Sequence, residues 1–317
     1  MIQAIKRYLC DQERKKFKKQ EEQRPIVTGR YPNIFQIPCM NYNYLAGSPD
    51  VISPKTYDPD YRMDVFFDNT VQMRVPIIIS IHGGGLMTGN KEFNQPMCLE
   101  FARKQFLVFA IEYPKIPEHT IDEMLEAVIT AIKMIVYSAP HLGGDPENVF
   151  LLGDSAGAFL TIYATAIIHN PKLAEEFGIQ TDLSGLFIKC LGLISGLFYT
   201  ASKDRYGLFY KAMLYGKDMK NAMMRKYRNP ESQEIMDSLP PCIFITSEGD
   251  FLKKQSITFC KALQKNGVHV LLQNYLDSEL VHDFPVFKGD RKETGDAIRK
   301  ICSFFWDCAE NNTLDME

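Results

Sequence analysis

Two glycine-rich motifs in this chain carry residue types that suit nucleophilic attack on a carbonyl group. The first is GDSAG at residues 153–157, which follows the strand-like run NVFLLGD and precedes an apolar helical pattern. At a strand-to-helix turn the glycines permit a tight backbone that pushes the serine hydroxyl out of the sheet. The helix start also offers N–H groups and a positive dipole end to an anion. This placement predicts that Ser155 is a nucleophile.

The second motif is HGGG at residues 82–85, directly after the run VPIIISI. Glycines have no side chain, so their backbone N–H groups can approach a reacting carbonyl closely. Together with the N–H of the residue after the serine, they can surround the oxyanion of a tetrahedral intermediate. We therefore expect Gly83, Gly84, Gly85 and Ala156 to form an oxyanion hole.

A serine hydroxyl needs a base to take its proton and a carboxylate to orient that base. His282 lies in a loop after the last strand-like run, where the chain order serine, acid, histidine places the base. Asp250 follows the run PCIFITS and is the preferred acid, with Glu248 and Asp277 as rivals. These residues predict a Ser155–His282–Asp250 triad.

Two further carboxylates stand next to these residues in the sequence. Asp283, which follows His282 directly, is expected to point elsewhere. Asp154, which precedes Ser155, is expected to stabilise the turn rather than to take part in the chemistry. Neither is assigned a catalytic role.

The elements that must position these residues alternate between strand-like and helical patterns. Near-continuous apolar, β-branched runs favour strands that are covered on both faces. The strand-like runs span 63–68, 75–82, 106–113, 148–154, 188–195, 241–247 and 268–275, and the helical patterns span 121–138, 156–170, 252–266 and 291–308. Strand followed by helix, repeated, predicts an α/β fold with a mostly parallel sheet flanked by helices. Residues 1–45 and about 197–238 do not fit the alternation, and the latter, rich in Phe, Tyr and Met, predicts a helical insertion.

Composition narrows the class of protein. The 317 residues are 45% hydrophobic and 24% charged with a formal net charge of −3, which gives no reason to expect nucleic acid as a partner. No secretory signal opens the chain and no run of about 18 apolar residues occurs, so we expect a cytoplasmic protein without stable membrane insertion. Eight cysteines without a C-x-x-C pair predict reduced thiols and no metal site.

These motifs resemble those of the hormone-sensitive-lipase-like family of α/β-hydrolase esterases, which includes arylacetamide-deacetylase-type carboxylesterases. The resemblance covers most of the chain from about residue 70, and rests on HGGG (82–85), EYPKIPEHT (112–120), GDPENVFLLGDSAG (144–157), GD (249–250) and HDF (282–284). It implies an α/β-hydrolase fold, with the same triad and oxyanion residues. It also implies a small helical cap.

The domain organisation follows from this resemblance. Residues 1–45 are expected to contribute to the cap, and residues 46–317 to form the catalytic domain with its cap insertion at about 197–238. Two departures from the family pattern stand out. The family commonly has Tyr-Arg-Leu-Ala-Pro-Glu where this chain has YPKIPE at 113–118, so the arginine is missing and a local salt bridge is left in question. Ala158 stands where the family often has a second glycine.

The expected function is hydrolysis of short to medium acyl esters through an acyl-enzyme, without metal or organic cofactor. A small-molecule ester is then the partner, and a homodimer is left open. A serine peptidase of the same fold and a non-catalytic receptor for a small ligand are the alternatives. With His282 as base, kcat/KM should fall below a pH near the ordinary histidine pKa of about 6.5.

Overall fold

Eight strands form one sheet in the computed structural model of the protein, which describes residues 2–22, 32–41, 62–179, 181–201, 203, 210, 214 and 226–310. The strands are β1 Ile34–Asn41, β2 Arg62–Asp68, β3 Val75–Ile81, β4 Leu107–Ile111, β5 Gly144–Asp154, β6 Cys190–Ile194, β7 Cys242–Ser247 and β8 Val270–Tyr275. Their order across the sheet is β1-β2-β4-β3-β5-β6-β7-β8, and all neighbours from β4 to β8 pair in parallel. The prediction of a mostly parallel α/β fold is confirmed.

Helices cover both faces of this sheet. Those described are α1 Ile2–Glu22, α2 Gln95–Ala102, α3 Ile121–Ser138, α4 Ala156–His169, α5 Pro171–Glu176, α6 Gln233–Met236, α7 Lys253–Lys265, α8 Phe284–Phe287 and α9 Lys292–Glu310. One core cluster joins α3, α4 and α7 to one face, and a second joins α2 and α9 to the other. Successive β3 residues alternate between the clusters, since Ile77 and Ile79 lie in the first and Ile78 in the second.

Helix α3 matches its predicted bounds because its start is marked in the sequence. Thr120 accepts a hydrogen bond from the Glu123 N–H, and the Glu123 carboxylate accepts one from the Thr120 N–H. The segment Ile121–Leu142 is long and apolar enough to cross a membrane, yet half of its most apolar window is buried inside the protein. One face of α3 packs against the sheet, as in an amphipathic core helix.

Strand β1 was not predicted. It pairs antiparallel with β2 at the edge of the sheet, and its register shifts between Ile37 and Met40, on either side of Pro38. Proline is tolerated at an edge because it removes a hydrogen bond that an inner strand would need. Within residues 1–45, Ile34–Asn41 thus belongs to the sheet, and the contribution of this N-terminal segment to a cap stays a prediction. Half of the residues of the predicted insertion at about 197–238 lie outside the described residues.

Candidate active site

Ser155 stands at the turn between β5 and α4, as the sequence predicts. Its φ of 50° and ψ of −114° lie outside the regions that most residues adopt, and its N–H donates to the Ile194 carbonyl at 2.8 Å. Gly157 makes this turn sterically feasible. A Cβ at that position would lie 1.9 Å from the Ile81 carbonyl oxygen, so only glycine lets α4 approach the end of β3 this closely.

An isolated backbone bridge brings the other two predicted residues together. Gly249 and Val281 pair in parallel, which places the next residue of each segment, Asp250 and His282, side by side. His282 Nδ1 lies 2.7 Å from Asp250 Oδ1, and His282 Nε2 lies 2.9 Å from Ser155 Oγ. The three side chains therefore form one continuous chain of hydrogen bonds at the carboxyl edge of the sheet.

Asp250 is well supported as an anion. Its Oδ2 accepts from Thr246 Oγ1 at 2.8 Å, and its Oδ1 also accepts from the Leu252 N–H at 2.9 Å. Burial works to raise the pKa of this carboxyl, but the hydrogen bond to His282 and the charge of the imidazolium outweigh it, so the pKa lies below its ordinary value. Asp250 is thus suited to stay ionised while His282 gains and loses a proton.

The two rival acids lie elsewhere. Glu248 pairs with Lys253 Nζ at 2.7 Å and also accepts from Asn274, while Asp277 accepts from the Glu279 N–H in an exposed turn. Neither makes a recorded contact with His282 among the described residues.

The expectation for Asp283 is wrong. Its Oδ2 lies 3.1 Å from His282 Nε2, the nitrogen that also faces Ser155. A left-handed backbone conformation, with φ of 54° and ψ of 34°, turns its side chain back onto the imidazole. Sequence position alone does not reveal such a turn.

The glycine tract bends around Ser155 through two positive-φ residues, Gly84 at 112° and Gly85 at 65°. The N–H of Gly83 donates to Asp154 Oδ2 at 2.8 Å, so it is engaged with this carboxylate rather than open to a substrate. Between described residues, no backbone hydrogen bond is recorded for the N–H groups of Gly84 and Gly85. Ala156 is the first residue of α4, where backbone N–H groups lack partners within the helix.

Asp154 fixes the serine turn to the glycine tract, in agreement with its expected stabilising role. Its Oδ1 accepts from Asn94 Nδ2 at 2.7 Å, in addition to the bond from Gly83. Burial and the nearby charge of Asp283 raise the pKa of Asp154 to about 7. Nothing in the sequence marks Asn94 as part of this arrangement.

The EYP segment, directly after β4, contacts His82 at the start of the glycine tract. Glu112 Oε1 lies 2.8 Å from His82 Nε2, Oε2 accepts from the Lys91 N–H at 3.1 Å, and Lys115 Nζ pairs with the same carboxylate. Tyr113 OH donates to the His82 carbonyl at 2.8 Å, and its ring stacks on the imidazole. Burial works against ionisation of Glu112, but His82 and Lys115 outweigh it and lower its pKa to about 2.

Arg14 of α1 forms a salt bridge with Glu118, at the end of the YPKIPE segment that lacks the arginine common in the family. Arg14 Nε donates to the Met87 carbonyl at 3.1 Å, and Nη2 donates to the Ile116 carbonyl at 3.1 Å. The salt bridge of its guanidinium with Glu118 is bidentate, with Nη1 3.1 Å from Oε1 and Nη2 2.6 Å from Oε2. The N-terminal helix is thus tied to both segments that carry the oxyanion side of the site.

No cluster of metal-binding side chains occurs among the residues that the structure covers. The side chains of seven of the eight cysteines are described, and all seven are free thiols, six of them buried. The buried thiols agree with the expectation of reduced, structural cysteines.

A family model for the alpha/beta hydrolase fold matches residues 78–286, which include every site residue named so far except Arg14. The chain belongs to this family, in its hormone-sensitive-lipase-like group of carboxylesterases. The family resemblance drawn from the motifs is confirmed.

Sequence relatives are distant. A probable isoprenylcysteine alpha-carbonyl methylesterase of Oryza sativa is 25% identical over 221 residues, which cover 66% of this chain and 51% of the rice protein. A carboxylesterase of Mycobacterium tuberculosis is 23% identical over 233 residues, or 72% of each chain. The match therefore spans about half the length of the rice relative.

Among solved structures, esterase B from Lactobacillus rhamnosis superposes with a TM-score of 0.83 at 18% identity, covering 99% of this chain and 97% of that one. At this identity the superposition establishes a common fold over nearly the whole chain.

Proposed function

We propose that this protein is a serine carboxylesterase that hydrolyses short to medium acyl esters through an acyl-enzyme. The observation that carries the proposal is the unbroken hydrogen-bond chain from Ser155 through His282 to Asp250 beside a glycine tract. Its family membership and the esterases among its relatives support the same reaction class.

In the first half-reaction, Ser155 Oγ attacks the ester carbonyl while its proton passes to His282 Nε2. The positive charge that develops on the imidazole is stabilised by Asp250 through Nδ1–H. His282 then gives the proton to the departing alcohol, and the acyl group stays on Ser155. Water, deprotonated by the same imidazole, attacks the acyl-enzyme. His282 then returns the proton to Ser155 Oγ as the carboxylic acid leaves.

We assign the oxyanion to the N–H groups of Gly84, Gly85 and Ala156. Gly83 is left out because its N–H already donates to Asp154. Each donor aimed at the developing negative charge stabilises the transition state more than the ground state, and losing one typically costs about 3 kcal/mol. The hydroxyl of Tyr210 lies next to Gly85, 2.7 Å from where a Cβ would stand, and so borders this side of the site.

The proposed preference for short to medium acyl chains is supported by a structural neighbour. The Lactobacillus esterase B structure is of a protein inhibited by a tributyrin phosphonate, an analogue of an ester with short acyl chains. We also propose a cytoplasmic location, which the free thiols support, while a homodimer stays a prediction.

Hydrolysis of p-nitrophenyl esters from acetate to palmitate tests the proposal, with Ser155→Ala in parallel and Ser184→Ala, in a distant exposed turn, as the matched control. We expect activity to peak at a short chain, to fall about 10⁴-fold or more in Ser155→Ala, and to stay unchanged in Ser184→Ala. Cleavage of the matching p-nitroanilide at comparable rates would favour a peptidase, and binding without turnover would favour a receptor.

A further inference from the structure

Two groups, not one, face the reactive nitrogen of His282. Ser155 Oγ lies 2.9 Å from Nε2, and Asp283 Oδ2 lies 3.1 Å from the same atom. Asp250 occupies the other nitrogen, Nδ1. The imidazole is therefore held between two carboxylates.

The side chain of Asp283 contacts His282 instead of capping the helix that follows it. Asp283 is the N-cap residue of α8, where aspartate normally accepts from a helix N–H, yet its side chain makes no such bond. Its own N–H donates to Ser195 Oγ at 3.1 Å, and Ser195 also has a positive φ, 47°. The left-handed backbone at Asp283, anchored by Ser195, directs the carboxylate at the imidazole instead.

The carboxylate is buried and only half satisfied. Asp283 is 4% exposed, and among the described residues its Oδ1 has no hydrogen-bond partner. The charged groups that face His282 come from three elements: Asp250 after β7, Asp154 at the end of β5, and Asp283 in its own loop. Burial raises the pKa of Asp283, and the charge and hydrogen bond of His282 work against that shift, so the imidazolium favours the ionised form of Asp283.

This arrangement affects the two protonation states of His282 differently. A neutral imidazole that donates Nδ1–H to Asp250 presents the lone pair of Nε2 to Asp283. An ionised Asp283 carboxylate repels that lone pair. An imidazolium presents Nε2–H, which the carboxylate attracts. Burial alone would lower the pKa of His282, but the charges of Asp283 and Asp250 outweigh it and raise that pKa to about 10.

We propose that Asp283 is a second carboxylate on the base, which holds His282 as imidazolium and so shifts the onset of ester hydrolysis to higher pH than the triad alone would give. Asp283 acts through His282 and exchanges no bond with the substrate. The proposal rests on the proposed esterase function. It also predicts that kcat/KM rises at a pH above the value near 6.5 expected from the sequence.

The experiment compares pH profiles of kcat/KM for p-nitrophenyl butyrate in the wild type and in Asp283→Asn, from pH 5 to 10. Asparagine keeps the shape and tolerates the left-handed backbone but removes the charge. We expect the acid limb to move down by about 1 to 3 pH units, the shift typical of losing one close opposite charge. The same substitution at exposed Asp277, five residues before the histidine, should leave the limb in place.

Coinciding acid limbs for the wild type and Asp283→Asn would overturn the inference while leaving the esterase proposal intact. If the wild type hydrolyses no ester, the esterase proposal fails, and the inference is then tested without turnover. In that case the imidazole of His282 is titrated by NMR in Ser155→Ala, with and without Asp283→Asn. A lower midpoint in the double variant supports the role of Asp283, and equal midpoints reject it.

Discussion

The oxyanion side of the site, residues 82–118 with α1, and the histidine side, residues 247–284, are stabilised in different ways. On the oxyanion side each buried charge meets an opposite charge or a donor, as Glu112 does with His82, Lys115 and the Lys91 N–H. The histidine side instead places more buried carboxylate than positive charge around a single imidazole.

Left-handed backbone occurs on both sides. On the oxyanion side Gly84 and Gly85 adopt it at little cost, and the next residue, Leu86, adopts it as well with a φ of 63°. On the histidine side Asp283 adopts such a conformation, and Ser195, which binds its N–H, does as well. The two sides therefore differ in their buried charge rather than in their backbone: Glu112 is paired beside the oxyanion donors, whereas two carboxylates share the imidazole that must move a proton.

The largest expected effect lies on the histidine side. In Asp250→Asn the amide cannot stabilise the imidazolium and can favour the wrong tautomer, so kcat should fall about 10⁴-fold. The free energy of unfolding should change far less. Steady-state kinetics together with urea denaturation separate the two quantities, with Glu248→Gln, one of the rival acids, as the matched control. A loss in the control equal to that in Asp250→Asn would contradict the assignment of the acid.

The next effect lies on the oxyanion side and concerns stability. Glu112→Ala leaves His82 and the Lys91 N–H without their buried partner, and we expect unfolding to become about 3 kcal/mol easier. Glu112→Gln, which keeps the shape but not the charge, should cost less. Urea denaturation at pH 7 measures both.

The pH dependence of this contribution has a defined sign. The folded-state pKa of Glu112 is lowered to about 2, so its stabilising effect is complete above its ordinary value of about 4.5 and is lost as the pH falls toward 2. The difference between the wild type and Glu112→Gln should shrink over that range. A constant difference would show that the charge of Glu112 is not what stabilises the tract.

The smallest effect concerns the tie between α1 and the oxyanion side. Arg14 is about one-third exposed, so Arg14→Ala should cost no more than about 1 kcal/mol of stability. It should still lower kcat/KM several-fold, because the Met87 and Ile116 carbonyls lose the donor that fixes them. Lys16→Ala, which removes a more exposed cation of the same helix, serves as control. Equal kinetics in both variants would mean that α1 does not position the site.

The sequence predicted those parts of the protein that depend on local pattern. The parallel strands and α3 follow from apolar runs and helical spacing, Ser155 follows from its glycine motif, and Asp250 and His282 follow from their positions after strand-like runs. Edge strand β1 was not predicted because Pro38 and a register shift interrupt its pattern. The sequence did not predict the roles of Asn94 and Arg14, because these depend on contacts between segments far apart in the chain. It did not predict the role of Asp283, because that depends on a left-handed backbone conformation.

Covalent trapping of the nucleophile tests the central claim most directly. A p-nitrophenyl alkylphosphonate should phosphonylate the protein once, release one equivalent of p-nitrophenol, and mark the peptide that contains Ser155 in a mass spectrum. Ser155→Ala should take up no label, and Asp250→Asn should react slowly. A label on another residue, or equal labelling of Ser155→Ala, would contradict the assignment of Ser155 as the nucleophile of an esterase.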